Sequence, residues 1–254
     1  MRNKNTLFIG KVVHAFEQLP STNLYAQELL SKSAPSEGTA ITAAYQTAGR
    51  GQLGSSWSSE AGSSLLMSVI FYPHFLSPRQ QHWLNMLAAL AIRDAVQAFV
   101  SAPVLIKWPN DIYLQGKKAA GILLQNSISS QRIQHCIAGL GINVNQQEFP
   151  ESLPQATSLY LAEGHPQSVA ELQQAVFEKL EQYYLRLKGH PSRGWLQEAY
   201  YGHLLGYQEI QHYQEPGGDP FPARLLGLDE HGRLLLQSGG QVKAYGIKEI
   251  ARLP

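Results

Sequence analysis

Two polar clusters hold the side chains of this chain best suited to chemistry. They are Gly49-Arg50-Gly51-Gln52-Leu53-Gly54-Ser55-Ser56-Trp57 and, about fifty residues on, Lys107-Trp108-Pro109-Asn110-Asp111. Glycines at 49, 51 and 54 let the backbone approach a ligand closely and turn N–H groups toward it, while Arg50 adds a planar cation suited to phosphate or carboxylate. Lys117 and Lys118, in Gln115-Gly116-Lys117-Lys118-Ala119-Ala120-Gly121-Ile122, add cations at a hairpin turn leading into a strand. Together these clusters suit adenylate formation. Activating a carboxylic acid with ATP needs a grip on the acid, a grip on the α-phosphate and charge stabilisation as pyrophosphate leaves.

Taken singly, each cluster has a plainer reading. Lys117 and Lys118 pass for solvated turn lysines, Asn110 and Asp111 for a turn after Pro109, and the glycines for an ordinary loop. Trp57 and Trp108 pass for core aromatics. Nine histidines are scattered without metal-ligand spacing, and Gly62-Ser63-Ser64 lacks the second glycine of a nucleophile elbow. Cys136 sits in an apolar strand between Ile133 and Ile137 and reads as a packed thiol.

The elements that must position these residues are legible from their patterns. Leu7 to Phe16 reads as an edge strand, and Ser21-Thr22-Asn23 precedes the amphipathic helix start Leu24 to Leu30, so the polar triplet lies at a helix N-terminus. Strands are expected over Thr39 to Tyr45, Ser64 to Tyr72, Val104 to Trp108, Ala120 to Asn126 and Arg132 to Val144, with a long helix over Gln80 to Val100. Ser168-Val169-Ala170-Glu171 opens a second long helix that Gly189 ends, and a short one covers Gly194 to Leu204. From Gly206 short strands and tight turns take over: Tyr207 to Tyr213, Phe221 to Leu228, Arg233 to Gln237 and Val242 to Tyr245. That texture predicts a small β-barrel and a domain boundary at Leu205 and Gly206, giving 1–205 and 206–254.

Bulk composition narrows the setting. At 254 residues and 44% hydrophobic content the chain can bury a sizeable core, and a formal charge of +1 gives no sign of a nucleic-acid or membrane-surface protein. One cysteine excludes an intramolecular disulfide and fits a reducing, cytoplasmic setting. Met1 to Asn5 leads into only a few apolar residues, and Arg93 and Asp94 interrupt the longest apolar stretch, so neither a signal peptide nor a membrane span is expected.

Five motifs occur in order: Ser21-Thr22-Asn23, Ala44 to Gly51, Lys107 to Asp111, Lys118-Ala119-Ala120-Gly121-Ile122-Leu123, and Gly139-Leu140-Gly141-Ile142-Asn143-Val144. This set resembles biotin protein ligases, which attach biotin to a carboxylase carrier protein, and the resemblance runs from Ser21 to Ile250. It implies an α+β (mixed α/β) fold: a catalytic domain like class II aminoacyl-tRNA synthetases around a central mixed β-sheet, then an SH3-like C-terminal barrel. It further implies biotin and ATP as substrates, Mg2+ held through the ATP phosphates near Asp111, and a biotin carboxyl carrier protein as partner. A homodimer through sheet edges is left open.

Site roles follow from the same resemblance. Ser21, Thr22, Asn23 and Gln46 match the positions that recognise the biotin head group. A ureido ring offers one acceptor and two donors, which hydroxyls and amides can satisfy in a buried slot. The plainer reading of Ser21 or Thr22 is an N-cap. Gly49, Arg50, Gly51 and Gln52 match the flexible loop over biotin and adenylate, and Lys118 the catalytic lysine at the α-phosphate. Asn143, in a Gly-x-Gly-Ile-Asn turn, matches the asparagine that reads adenine. Trp57 is expected to wall the adenylate pocket, with Asn110 and Asp111 beside the phosphates.

The loop departs from many family members, which carry arginines where Gln52 and Ser55 stand here. Arg50 and Lys118 are therefore expected to carry most of the phosphate interaction. Some members also have an N-terminal helix-turn-helix domain. About twenty residues before Ser21 are too few for one, so no DNA partner is expected. The rival readings are a lipoate or octanoate ligase or transferase of the same fold, which needs a greasy tunnel rather than a polar slot, and a non-catalytic biotin- or adenylate-binding module.

Overall fold

A computed structural model describes residues 5–253; the signal-peptide reading at Met1 to Lys4 lies outside the described residues. A mixed seven-stranded sheet forms the larger part. Its strands are β1 (Val13–Leu19), β2 (Ala40–Gln46), β5 (Ser64–Phe71), β6 (Val104–Lys107), β7 (Asp111–Leu114), β8 (Lys117–Ser129) and β9 (Arg132–Asn143). They lie in the order β1-β2-β5-β9-β8-β7-β6, and only the β1 and β2 pair is parallel. The short strands β3 (Gly49–Arg50) and β4 (Ser56–Trp57) form a separate hairpin.

The two faces of the sheet differ in what covers them. One packs on α2 (His82–Gln97), whose Leu84, Met86, Leu87, Leu90, Ile92 and Val96 are buried all round the helix, as expected of a helix enclosed on every side. Behind it lie α4 (Val169–Gly189), capped by Ser168 accepting the Glu171 N–H at 3.2 Å, and α5 (Gly194–Tyr201). The two charges inside α2 act as stitches: Arg93 Nε donates to the Val104 carbonyl at 3.0 Å, and Asp94 accepts the Tyr183 hydroxyl at 2.8 Å. The other face carries α1 (Thr22–Lys32), seated through Ala26 on Ile41, Ile70 and Ile137, and beside it the sheet is left open.

Toward the C-terminus, β10 (Ile210–Gln214), β11 (Phe221–Leu228), β12 (Leu234–Ser238), β13 (Gln241–Tyr245) and β14 (Ala251–Arg252) form an antiparallel five-stranded sheet in the order β13-β12-β11-β10-β14. Two contacts tie it to the main sheet. Ile106 takes a hydrogen bond from Leu205 N and gives one to the His203 carbonyl, both 2.8 Å, which lays Leu204 along the edge of β6. Trp108 Nε1 donates to the Gly232 carbonyl at 3.1 Å.

Some expectations shift. The first strand begins at Val13, not Leu7, because the backbone N–H groups of Leu7, Phe8 and Ile9 converge on the buried Glu181 carboxylate at 2.6, 2.7 and 3.0 Å. A strand neighbour would have to replace all three bonds. The four-residue β7, the short helix α3 (Leu159–Glu163) and β14 were not anticipated. Asn143 ends strand β9 rather than sitting in a turn: it pairs with Ser64, and β9 stays extended through both glycines of the motif.

Candidate active site

The polar triplet sits where expected, at the start of α1. Ser21 is the N-cap residue, yet its side chain makes no capping hydrogen bond. The unsatisfied first-turn N–H of Thr22 is taken instead by Gln46 Oε1 at 2.7 Å, and the Thr22 hydroxyl meets the same oxygen at 3.1 Å. Asn23 Nδ2 donates to Gln125 Oε1 at 2.9 Å, and Asn23 Oδ1 accepts from Ser68 at 2.6 Å. Ser21, Thr22 and Asn23 are all buried, so this is a slot walled by hydroxyls and amides rather than a solvated helix end. It lies over Gly139, where a Cβ would come within 2.1 Å of Asn23 Oδ1.

The glycine-rich loop is folded as the β3–β4 hairpin, Gly49 opposite Trp57 and Arg50 opposite Ser56, with Gly51 N donating to the Ser55 carbonyl at 2.7 Å. It carries Trp57 over two glycines paired across the sheet, Gly121 of β8 and Gly141 of β9. A Cβ on Gly141 would come within 2.5 Å of the indole and one on Gly121 within 3.0 Å. The Gly-x-Gly motif is therefore a strand surface stripped of side chains, so that Asn23 rests on its first glycine and Trp57 on its second.

Lys118 projects beside this indole, its Nζ 5.8 Å from the ring centre and 2.7 Å from Asp111 Oδ1. The hairpin that presents it turns at Gln115 and Gly116, both at positive φ. Asn110 is buried; its Nδ2 donates to the Ile122 carbonyl and its own carbonyl accepts the Ile122 N–H, so this side chain braces β8 against the preceding loop. Lys107 Nζ donates to the Tyr113 hydroxyl at 3.1 Å. Arg50 is exposed and has no ion-pair partner among the described residues.

One cleft of about 650 Å³ joins the slot, the hairpin and Lys118. Ser21, Thr22, Asn23, Gln46, Arg50, Gly51, Gln52, Trp57, Asn110, Asp111 and Lys118 all line it. A model of the biotin/lipoate A/B protein ligase family matches residues 15–143. The chain is 37% identical to the bifunctional ligase/repressor BirA of Bacillus spizizenii, over 91% of this chain and 70% of that protein. This chain belongs to the biotin/lipoate A/B protein ligase family. It is also 26% identical to the biotin–acetyl-CoA-carboxylase ligase of Mycobacterium tuberculosis, over 93% of this chain and 87% of that one. Its fold matches the biotin protein ligase from Aquifex aeolicus in complex with biotin and ATP at a TM-score of 0.79, with 29% identity over 96% of this chain and 99% of that one.

Within this family member two expected site residues fall outside the cleft lining. Gly49 serves the hairpin, its Cα facing the Trp57 carbonyl so closely that a Cβ would come within 2.4 Å of that oxygen. Asn143, one pleat beyond Gly141 on the same face of β9, donates from Nδ2 to the Thr157 carbonyl at 3.0 Å, while its buried Oδ1 has no hydrogen-bond partner among the described residues.

The cleft also holds residues that sequence reasoning missed. The C-terminal sheet contributes Tyr213, Glu215, Lys248 and Arg252. The Tyr213 hydroxyl and Arg252 Nε are buried without a hydrogen-bond partner among the described residues. Arg224 of β11 is exposed and donates to the Gln208 carbonyl at 3.2 Å, outside the lining. Cys136 is buried on the opposite face of the sheet, and burial pushes its thiol up to about 12, a packed group rather than a nucleophile.

Proposed function

We propose that this family member attaches biotin to a lysine of a biotin carboxyl carrier protein through biotinyl-5′-AMP. The observation that carries the reading is the continuity of the cleft. A buried slot of hydroxyls and amides, suited to a ureido ring, opens onto a cationic compartment at Lys118 and Arg50, suited to phosphate. A fatty acyl tail would offer no partner to the Ser21 hydroxyl or to Gln46 Nε2, whereas a urea-type ring can satisfy them.

In the first step the biotin carboxylate attacks the α-phosphate of ATP, the bond to the β-phosphate breaks, and pyrophosphate leaves. Lys118 stabilises the charge that builds on the α-phosphate, and Asp111 holds its ammonium in place at 2.7 Å beforehand. Arg50 on the hairpin adds a second cation. Trp57, flat on the glycine surface, walls the adenylate and with the hairpin keeps water from the anhydride. Asn110 acts by bracing β8, and Asn143 reads adenine once its orphaned Oδ1 gains a donor. In the second step the carrier amine attacks the acyl carbon, forming the amide and releasing AMP. The enzyme contributes no nucleophile.

Asp111 and Glu215 are the carboxylates of the cleft lining, a donor set that fits Mg2+ held chiefly by phosphate oxygens and water. Bound there with the triphosphate, Mg2+ would neutralise phosphate charge. We divide the chain into a catalytic domain, 1–205, and a C-terminal domain, 206–254, which lends Lys248 and Arg252 to the lining of the cleft.

The direct test incubates the full chain with biotin, ATP, Mg2+ and a biotin carrier domain and reads the carrier by mass spectrometry. Biotin on one carrier lysine, dependent on ATP, is the expected result. A carrier left unmodified while adenylate accumulates would remove the transfer step from the account.

A further inference from the structure

Behind the polar slot, buried groups decide which of its atoms donate and which accept. Ser68 of β5 is fully buried and does not line the cleft. Its Oγ lies 2.7 Å from Thr22 Oγ1 and 2.6 Å from Asn23 Oδ1, and its single proton serves these two acceptors. With Asn23 Oδ1 turned toward Ser68, Asn23 Nδ2 faces and donates to Gln125 Oε1 at 2.9 Å. Thr22 directs both its N–H and its hydroxyl proton at Gln46 Oε1.

The wiring has one consequence at the cleft. Thr22 Oγ1, its proton committed to Gln46, offers lone pairs to a ligand. Gln46, its Oε1 already accepting two bonds, is left with Nε2 to donate. A ligand in the slot thus meets an acceptor at Thr22 and a donor at Gln46 in a fixed order, the complement of a carbonyl flanked by N–H groups.

We propose that Ser68 and Gln125, neither of which lines the cleft, are positioning residues that set the hydrogen-bond sense of the slot and thereby its selectivity for a urea-type head group. The inference rests on the biotin reading given above. Without the Ser68 proton, Asn23 Oδ1 competes with Gln46 for the Thr22 hydroxyl, and both amides can reverse. Without an acceptor at position 125, nothing holds Asn23 Nδ2 at its place. Glu at 125 would keep that acceptor.

The test titrates the full chain calorimetrically with biotin and with iminobiotin, in which a protonated imino donor replaces the ureido carbonyl. Wild type is expected to prefer biotin. Ser68→Ala and Gln125→Leu should each weaken biotin binding about tenfold while narrowing its advantage over iminobiotin, as loss of a buried hydrogen bond predicts. Gln125→Glu should keep biotin affinity within about twofold, and the KM for ATP at saturating biotin should stay unchanged in all three. Wild-type selectivity in both Ser68→Ala and Gln125→Leu, or an equal loss for the two ligands, would overturn the wiring and leave a structural role. A wild-type chain that binds no biotin would instead overturn the reading on which the inference rests.

Discussion

The indole of Trp57 lies so close to Gly141 that a single methyl group there would come within 2.5 Å of Cε2. The hairpin that carries Trp57 makes only two pairs of its own, Gly49 with Trp57 and Arg50 with Ser56, so the glycine surface of β8 and β9 fixes where the loop can rest. Backbone composition in the sheet thereby determines the shape of a cleft wall carried by a hairpin more than sixty residues away in sequence.

Gly141→Ala is expected to lift the indole from the sheet and slow single-turnover adenylate formation by roughly tenfold to a hundredfold, since small misplacements of a site wall are costly. Biotin affinity should change little, because the slot rests on Gly139 rather than Gly141. Equal damage to biotin binding and adenylate formation would show that the two compartments of the cleft are not separable.

Lys118→Ala should lower adenylate formation on the order of 10²- to 10³-fold, the loss expected for one group that stabilises transition-state charge. Asp111→Asn, which keeps the size of the partner but not its charge, should cost less. Single-turnover quench measurements check both, and a rate for Lys118→Ala within a few-fold of wild type would remove the lysine from the chemistry.

Glu181 holds three backbone N–H groups of the segment before β1. Glu181→Ala leaves all three without their acceptor and should destabilise the fold by about 3 kcal/mol, read from urea unfolding. The site is remote from this carboxylate, so activity well below the transition should persist.

Acid should weaken the fold through its half-buried histidines. Burial lowers His82, His135 and His203 below their usual 6.5, so each is harder to protonate in the folded chain than in the unfolded one. The unfolded state then binds more protons below that value, and the stability present above it is lost as the pH falls. Melting temperature is expected to drop between about pH 7 and pH 5, and His82→Gln, with one titrating group fewer, should drop less steeply. An unchanged slope in that variant would assign the acid sensitivity elsewhere.

Much of the site was legible because its residues come in short local runs. Ser21 to Asn23 at a helix start, the glycine hairpin and Lys118 after a tight turn each announce themselves by spacing, and the sheet brings them to one cleft. Ser68 and Gln125 were not legible: Ser68 is a single polar residue within an apolar run, Gln125 opens the polar run Gln125-Asn126-Ser127, and the role of each exists only through Asn23, which approaches from another element. Gly139 and Gly141 read as a turn ahead of Asn143 although the expected strand Arg132 to Val144 runs through them, and Gly121, within the expected strand Ala120 to Asn126, carries no role in that reading. A glycine motif suggests a turn, whereas here the strand stays extended and the missing side chains make room for neighbours. Glu181 likewise displaced the first strand from Leu7 to Val13 through contacts more than 170 residues away in sequence.

The central claim is that the polar slot and the Lys118 compartment work together on one acid. Exchange of labelled pyrophosphate into ATP, measured with biotin and in parallel with lipoate, tests it most directly. The account predicts exchange that depends on biotin and is lost in Lys118→Ala. Exchange supported by lipoate and not by biotin would contradict it.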